Sequence, residues 1–168
     1  LFKQVTTLAN GKNHGLIMLV DYSGSMHNVM PNVIKQNATL VMFCKKVGIP
    51  FEVYGFTSKN YGDQVRENTT LTRFDTDDFN LFNIYSSKMT KAELETALMT
   101  SIYQADDTYF RPRNERLGNT PLNAAMMAME FAYKDFRKAN NIEKMTFVTL
   151  TDGESNYPRV VHGIDSEN

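Results

Sequence analysis

The chain alternates compact apolar runs with longer stretches in which apolar residues recur at helical spacing. Leu16-Ile17-Met18-Leu19-Val20 contains no polar residue. A run of that kind reads as a strand buried on both faces, as inside a parallel sheet. From about Met30 to Val47, Ile34, Ala38, Val41, Met42 and Lys45 follow a helical period. Pro31 suits a first helical turn, and Gly48 followed by Pro50 ends the helix. Phe51 to Phe56 reads as a second strand, so this first unit is strand, helix, strand with a parallel pair.

Residues 57–80 are polar and aperiodic and read as a long insertion. Leu81 to Tyr85 predicts a short strand at a sheet edge. Thr90-Lys91-Ala92-Glu93 has the hydroxyl and carboxylate spacing of a capping box. It predicts a helix to about Gln104 with Leu94, Ala97, Leu98 and Ile102 inward. Gly118-Asn119-Thr120-Pro121 predicts another helix start, with Thr120 as cap and Pro121 as first helical residue. Leu122, Ala125, Met126, Met129, Tyr133 and Phe136 then share one face, which reads as core. Met145 to Thr151 predicts an internal strand. The pattern as a whole is α/β: an open, mostly parallel, doubly wound sheet of Rossmann-like form with one antiparallel edge strand.

Composition narrows the picture only modestly. The chain has 168 residues, 42% hydrophobic and 22% charged, which argues for one ordinary globular domain spanning 1–168. A net charge of −1 gives no general attraction to nucleic acid or to a membrane surface, so neither is expected as a partner. Arg111-Pro112-Arg113 and Arg116 form the most basic stretch, read as a solvated loop. Cys44 is the single cysteine, so no internal disulfide forms, and a cytoplasmic location is expected. The start at Leu1 without a leader pattern suggests a trimmed piece of a longer protein.

The candidate chemistry lies where apolar strands stop. Val20 leads into Asp21-Tyr22-Ser23-Gly24-Ser25, and Thr151 leads into Asp152-Gly153-Glu154. If both strands share a parallel sheet, both acids emerge at one edge, where such sheets bind ligands. Asp21, Ser23, Ser25, Thr120 and Asp152 offer only oxygen. Such donors suit a hard divalent cation: Mg²⁺ foremost, or Mn²⁺ or Ca²⁺. Tyr22, at the alternate position, is expected to pack in the core or its rim. His27 is expected on the surface.

Asp21-x-Ser23-x-Ser25, Gly118-x-Thr120 at a helix start, and Thr151-Asp152-Gly153 after a strand closely resemble the von Willebrand factor A domain and its metal-ion-dependent adhesion site. The resemblance covers about residues 15–155. It implies that Ser23, Ser25 and Thr120 ligate the metal directly or through water, that Asp21 and Asp152 act largely through water, and that an acidic residue of a protein partner completes the shell. Within that family, the 57–80 insertion after Gly55-Phe56-Thr57 looks most like the cobaltochelatase accessory subunit. Such subunits work beside a MoxR-type AAA+ ATPase, and related domains occur in bacteria and large tailed phages. A complete domain of the family continues with another strand and a helix after Asp152, for which Glu154 to Asn168 is too short, so the resemblance implies either truncation at the C-terminus or a smaller sheet than usual.

A binding module without catalysis is therefore expected. The alternative is a metal-dependent phosphoesterase using Asp21. Phosphatases of that design carry a second acid two residues on, where Ser23 stands here, so the protonation step lacks its residue. His14, His27 and His162 have no context that recommends a serine hydrolase.

Overall fold

A computed structural model of the chain describes residues 13–58, 73–75, 79–106, 111–153, 155 and 159–161. In chain order the elements are β1 (His14–Asp21), α1 (Met30–Val47), β2 (Phe51–Thr57), β3 (Arg73–Asp75), β4 (Asn80–Ser86), α2 (Lys91–Asp106), α3 (Leu122–Ala139), β5 (Lys144–Leu150) and β6 (Arg159–Val161). Short 3₁₀ turns cover Gly24–Asn28 and Arg113–Glu115. The architecture is α/β. The main sheet has four strands in the order β4-β2-β1-β5. β2, β1 and β5 run parallel, and β4 is the antiparallel edge strand that the sequence predicts.

β1 is the centre of this arrangement. Its side chains alternate between two cores, as the two-residue period of a strand requires. Leu16, Met18 and Val20 face a cluster with Met30, Ile34, Ala38, Val41 and Cys44 of α1 and with Leu94 and Leu98 of α2. Ile17 and Leu19 face Ala125, Met129 and Phe136 of α3. All five residues of the Leu16–Val20 run are buried. Burying a side chain of this size contributes about 1.5–3 kcal/mol. A charge at Leu19 would therefore unseat the sheet from α3.

Helix α1 keeps its predicted bounds. Gly48 ends it in the left-handed conformation, φ 77°, donating its N–H to the Cys44 carbonyl. A residue with a Cβ is strained at that φ. Lys45 extends its ammonium to the carbonyls of Ser87 and Met89, 2.8 Å each, and so ties α1 to the turn before α2. The capping box of α2 is reciprocal: Thr90 N–H donates to Glu93 Oε2 (2.8 Å) and Glu93 N–H donates to Thr90 Oγ1 (3.3 Å).

Several expectations are corrected. Met42 and Met126, placed inward by spacing, are 52% and 44% exposed; Cys44 and Ala125 take the buried positions beside them. β5 lies at the outer edge of the sheet among the described residues rather than inside it, and its residues are mostly half-buried. The insertion is not wholly without structure, since β3 within it pairs antiparallel with β6. α3 begins at Leu122, one residue later than expected, and Thr120 does not cap it. Arg111 is buried rather than solvated. Its guanidinium lies 5.5 Å from the Tyr22 ring centre, and its Nε donates to the Gln104 carbonyl at 2.8 Å. Burial pushes its pKa down from the usual value. Among the described residues, no helix is long and apolar enough to cross a membrane.

Candidate metal centre

The chain leaves β1 through α1 to β2 on one side and returns through α3 to β5 on the other. The crevice at the carboxyl end of β1 and β5 is therefore the point where strand order reverses, the usual ligand position in such sheets. Val20 pairs with Leu150, so Asp21 and Thr151 follow side by side at the strand ends.

Asp21 is fully buried, and both carboxylate oxygens are engaged. Oδ1 accepts the Ser23 backbone N–H at 2.8 Å and Oδ2 accepts the Thr151 hydroxyl at 2.6 Å. Burial pushes its pKa above the ordinary carboxylate range; the bonds from Thr151 and Ser23 oppose that shift, and the charge of Asp152 adds to it. Asp21 and Asp152 form no salt bridge among the described residues.

The two serines connect the two acids. Ser25 Oγ donates to Asp152 Oδ1 at 2.8 Å, and Ser23 Oγ lies 3.0 Å from Ser25 Oγ. A hydroxyl has one proton. With the Ser25 proton on Asp152, the Ser23 proton must point to Ser25. The Ser23 oxygen then offers its lone pairs to a cation.

The third segment is held against the first. Gly24 N–H donates to the Gly118 carbonyl (2.8 Å), and Gly118 N–H donates to the Tyr22 carbonyl (3.0 Å). Ser23 and Gly118 form a parallel bridge. Two residues on, Thr120 is 8% exposed, and its hydroxyl lies 3.9 Å from where a Cβ on Gly153 would stand. The five residues picked out in the sequence thus come from three loops that meet at one end of the sheet.

The N-cap position of α3 is Pro121, and among the described residues no hydrogen bond engages the Thr120 hydroxyl. Ser155 instead supplies a cap, accepting the Asn123 N–H at 3.0 Å across 32 positions. The sequence reading missed this residue and also Thr151, the donor to Asp21. A hydroxyl directly before a strand-end acid was the available signal for Thr151. Nothing local pointed to Ser155. Glu154 lies outside the described residues. Tyr22 packs away from the cluster as expected, edge-on to Phe82 with ring centres 4.9 Å apart. His27 is exposed, also as expected.

No group of three or more His, Cys, Asp or Glu stands together among the described residues, and the five residues at this site offer neither thiol nor imidazole. The donor set is two carboxylates and three hydroxyls. It combines one buried and one exposed carboxylate with hard oxygen donors, neither acid being ion-paired among the described residues, and it fits a hard divalent ion that retains water. Compared with known protein families, curated proteins and solved structures, the chain matches none.

Proposed function

We propose that this chain is a metal-dependent protein-binding module of the von Willebrand factor A type. Ser23, Ser25 and Thr120 would hold a divalent cation, Mg²⁺ in the first instance, with Asp21 and Asp152 beside it. When bound, the ion supplies positive charge for a carboxylate oxygen of a partner protein. The observation that carries this reading is the linked cluster Asp21–Ser23–Ser25–Asp152 at the switch point, with Thr120 brought against the Asp152 loop.

The chain's own residues prepare the site in two ways. The hydrogen bonds to Asp21 fix its carboxylate in place, and the serine chain directs hydroxyl protons toward Asp152. A cation held there by hydroxyls, with few carboxylates against it, would keep its attraction for an outside carboxylate. The resemblance to the cobaltochelatase accessory subunit suggests a MoxR-type AAA+ ATPase as the machine beside which it acts. The phosphoesterase alternative needs a general acid two residues beyond Asp21, where Ser23 stands.

Partner capture with and without EDTA, compared with the Ser23→Ala/Ser25→Ala variant, tests the reading. Capture lost under both treatments is the expected result, together with no hydrolysis of p-nitrophenyl phosphate in Mg²⁺. Capture indifferent to both treatments would sink it.

A further inference from the structure

The end of β2 carries two hydroxyls, Thr57 and Ser58, that neither the fold nor the cation-binding residues account for. Thr57 is 1% exposed. Its Oγ1 donates to the Arg116 carbonyl at 3.0 Å. Ser58 Oγ accepts the Asn119 N–H at 2.8 Å. These two bonds take the polar backbone groups on either side of Gly118. On its other side Gly118 is bonded to Tyr22 and Gly24. The 116–119 strap is therefore clamped between the end of β2 and the Asp21–Ser25 loop. The fit leaves no room for a side chain: a Cβ on Gly118 would overlap Ser58 Oγ and stand 2.9 Å from Thr57 Oγ1. Asn80 Nδ2 also donates to the Asn114 carbonyl, two residues ahead of the strap.

Thr120 follows this clamp directly. It lies outside α3, whose N-cap position is Pro121; its carbonyl accepts the Leu122 N–H at 2.9 Å, and no bond holds its hydroxyl among the described residues. We propose that Thr57 and Ser58 are positioning residues that hold the 116–119 strap so that the Thr120 hydroxyl faces the cation site. Neither would touch the ion. They act as the outer partners of a ligand do at other metal sites, where their loss costs about 10- to 100-fold in metal affinity. The proposal rests on the cation reading above for its effect on affinity, but not for the clamp itself.

The test uses the whole chain with Thr57→Val, Ser58→Ala and Thr57→Ser. Mn²⁺ affinity is read by electron paramagnetic resonance, global stability by urea unfolding in EDTA, and the clamp by amide exchange of Asn119 without metal. Thr57→Val and Ser58→Ala are expected to weaken Mn²⁺ binding about 10-fold or more. Thr57→Ser keeps the hydroxyl and is expected to retain affinity. Ser58→Ala is also expected to speed Asn119 exchange by more than any change in global stability explains. Unchanged Asn119 exchange in Ser58→Ala overturns the proposal whether or not metal binds. So does unchanged Mn²⁺ affinity in both hydroxyl-deleting variants, and so does an equal loss in Thr57→Ser. If the unmodified chain binds no Mn²⁺, the cation reading fails, and with it the positioning role toward an ion. Asn119 exchange then still decides whether the clamp exists.

Discussion

Thr151 donates its hydroxyl to Asp21 Oδ2 at 2.6 Å, joining the ends of two parallel strands 130 positions apart in the chain. Asp21 is buried, so that donor replaces water the carboxylate has lost. A hydrogen bond to a charged group contributes about 1.5–3 kcal/mol. Thr151→Val keeps the shape of the side chain and removes the donor. It is expected to lower the urea-unfolding free energy in EDTA by about that amount, whereas Thr151→Ser should stay near the unmodified chain. Equal stability of the Val variant would show that Asp21 finds another donor.

Much of this architecture is legible in the sequence because its signals are local. α1 is bounded by Pro31 and Gly48, and α2 by a capping box that forms as read. The β1 run lacks polarity because both of its faces are covered. The site residues are recognisable because Asp21 and Asp152 stand at strand ends and strands of one parallel sheet end together.

What the reading missed depends on distant partners. Thr120 looks like a helix cap from its neighbours, but Ser155 bonds the helix amide instead. Met42 and Met126 fit the apolar stripes by spacing, yet a single helix face holds fewer inward positions than the stripe offers, and smaller neighbours occupy them. Arg111 is charged in a polar loop, yet Tyr22 and the Gln104 carbonyl hold it inside.

Gly55 is expected to tolerate no side chain. A Cβ there would stand 2.5 Å from Phe82 Cζ and 2.6 Å from Cε2, and Phe82 is already packed edge-on against Tyr22. Displacing that ring disturbs the residue between Asp21 and Ser23. Gly55→Ala should destabilise the fold by about 1–3 kcal/mol, the usual range for overpacking, as measured by urea unfolding. Gly55→Ala combined with Phe82→Leu, which removes the ring, should recover part of that loss. No recovery would place the strain elsewhere.

The capping box of α2 gives a pH-dependent contribution with a definite sign. Backbone and side-chain bonds from Thr90 lower the Glu93 pKa below its ordinary 4.5. A group whose pKa is lowered by folding stabilises the native state above its unfolded value, and that contribution is lost as pH falls through the folded value. Subtracting the unfolding free energy of Glu93→Gln from that of the unmodified chain cancels the other titrating groups. The difference should favour the unmodified chain at pH 6, shrink below pH 4.5, and vanish in stronger acid. A difference that grows on acidification would contradict the box.

The proposed cation site predicts a stability increment that follows metal concentration. A ligand that binds only the folded chain adds about 2.7 kcal/mol at a hundred times its dissociation constant. For a chain of 168 residues each kcal/mol raises Tm by about 2–4 °C, so saturating Mg²⁺ or Mn²⁺ should raise it by roughly 5–11 °C over EDTA. Ser23→Ala/Ser25→Ala removes two of the three proposed neutral ligands and should abolish the rise. The same variant also breaks the chain of hydroxyls to Asp152. Its Tm in EDTA is therefore the proper baseline, and only the increment above it reports the ion. An equal increment in both proteins would mean diffuse cation binding to an acidic surface, and no increment in the unmodified chain would mean that these five residues hold one another rather than a metal.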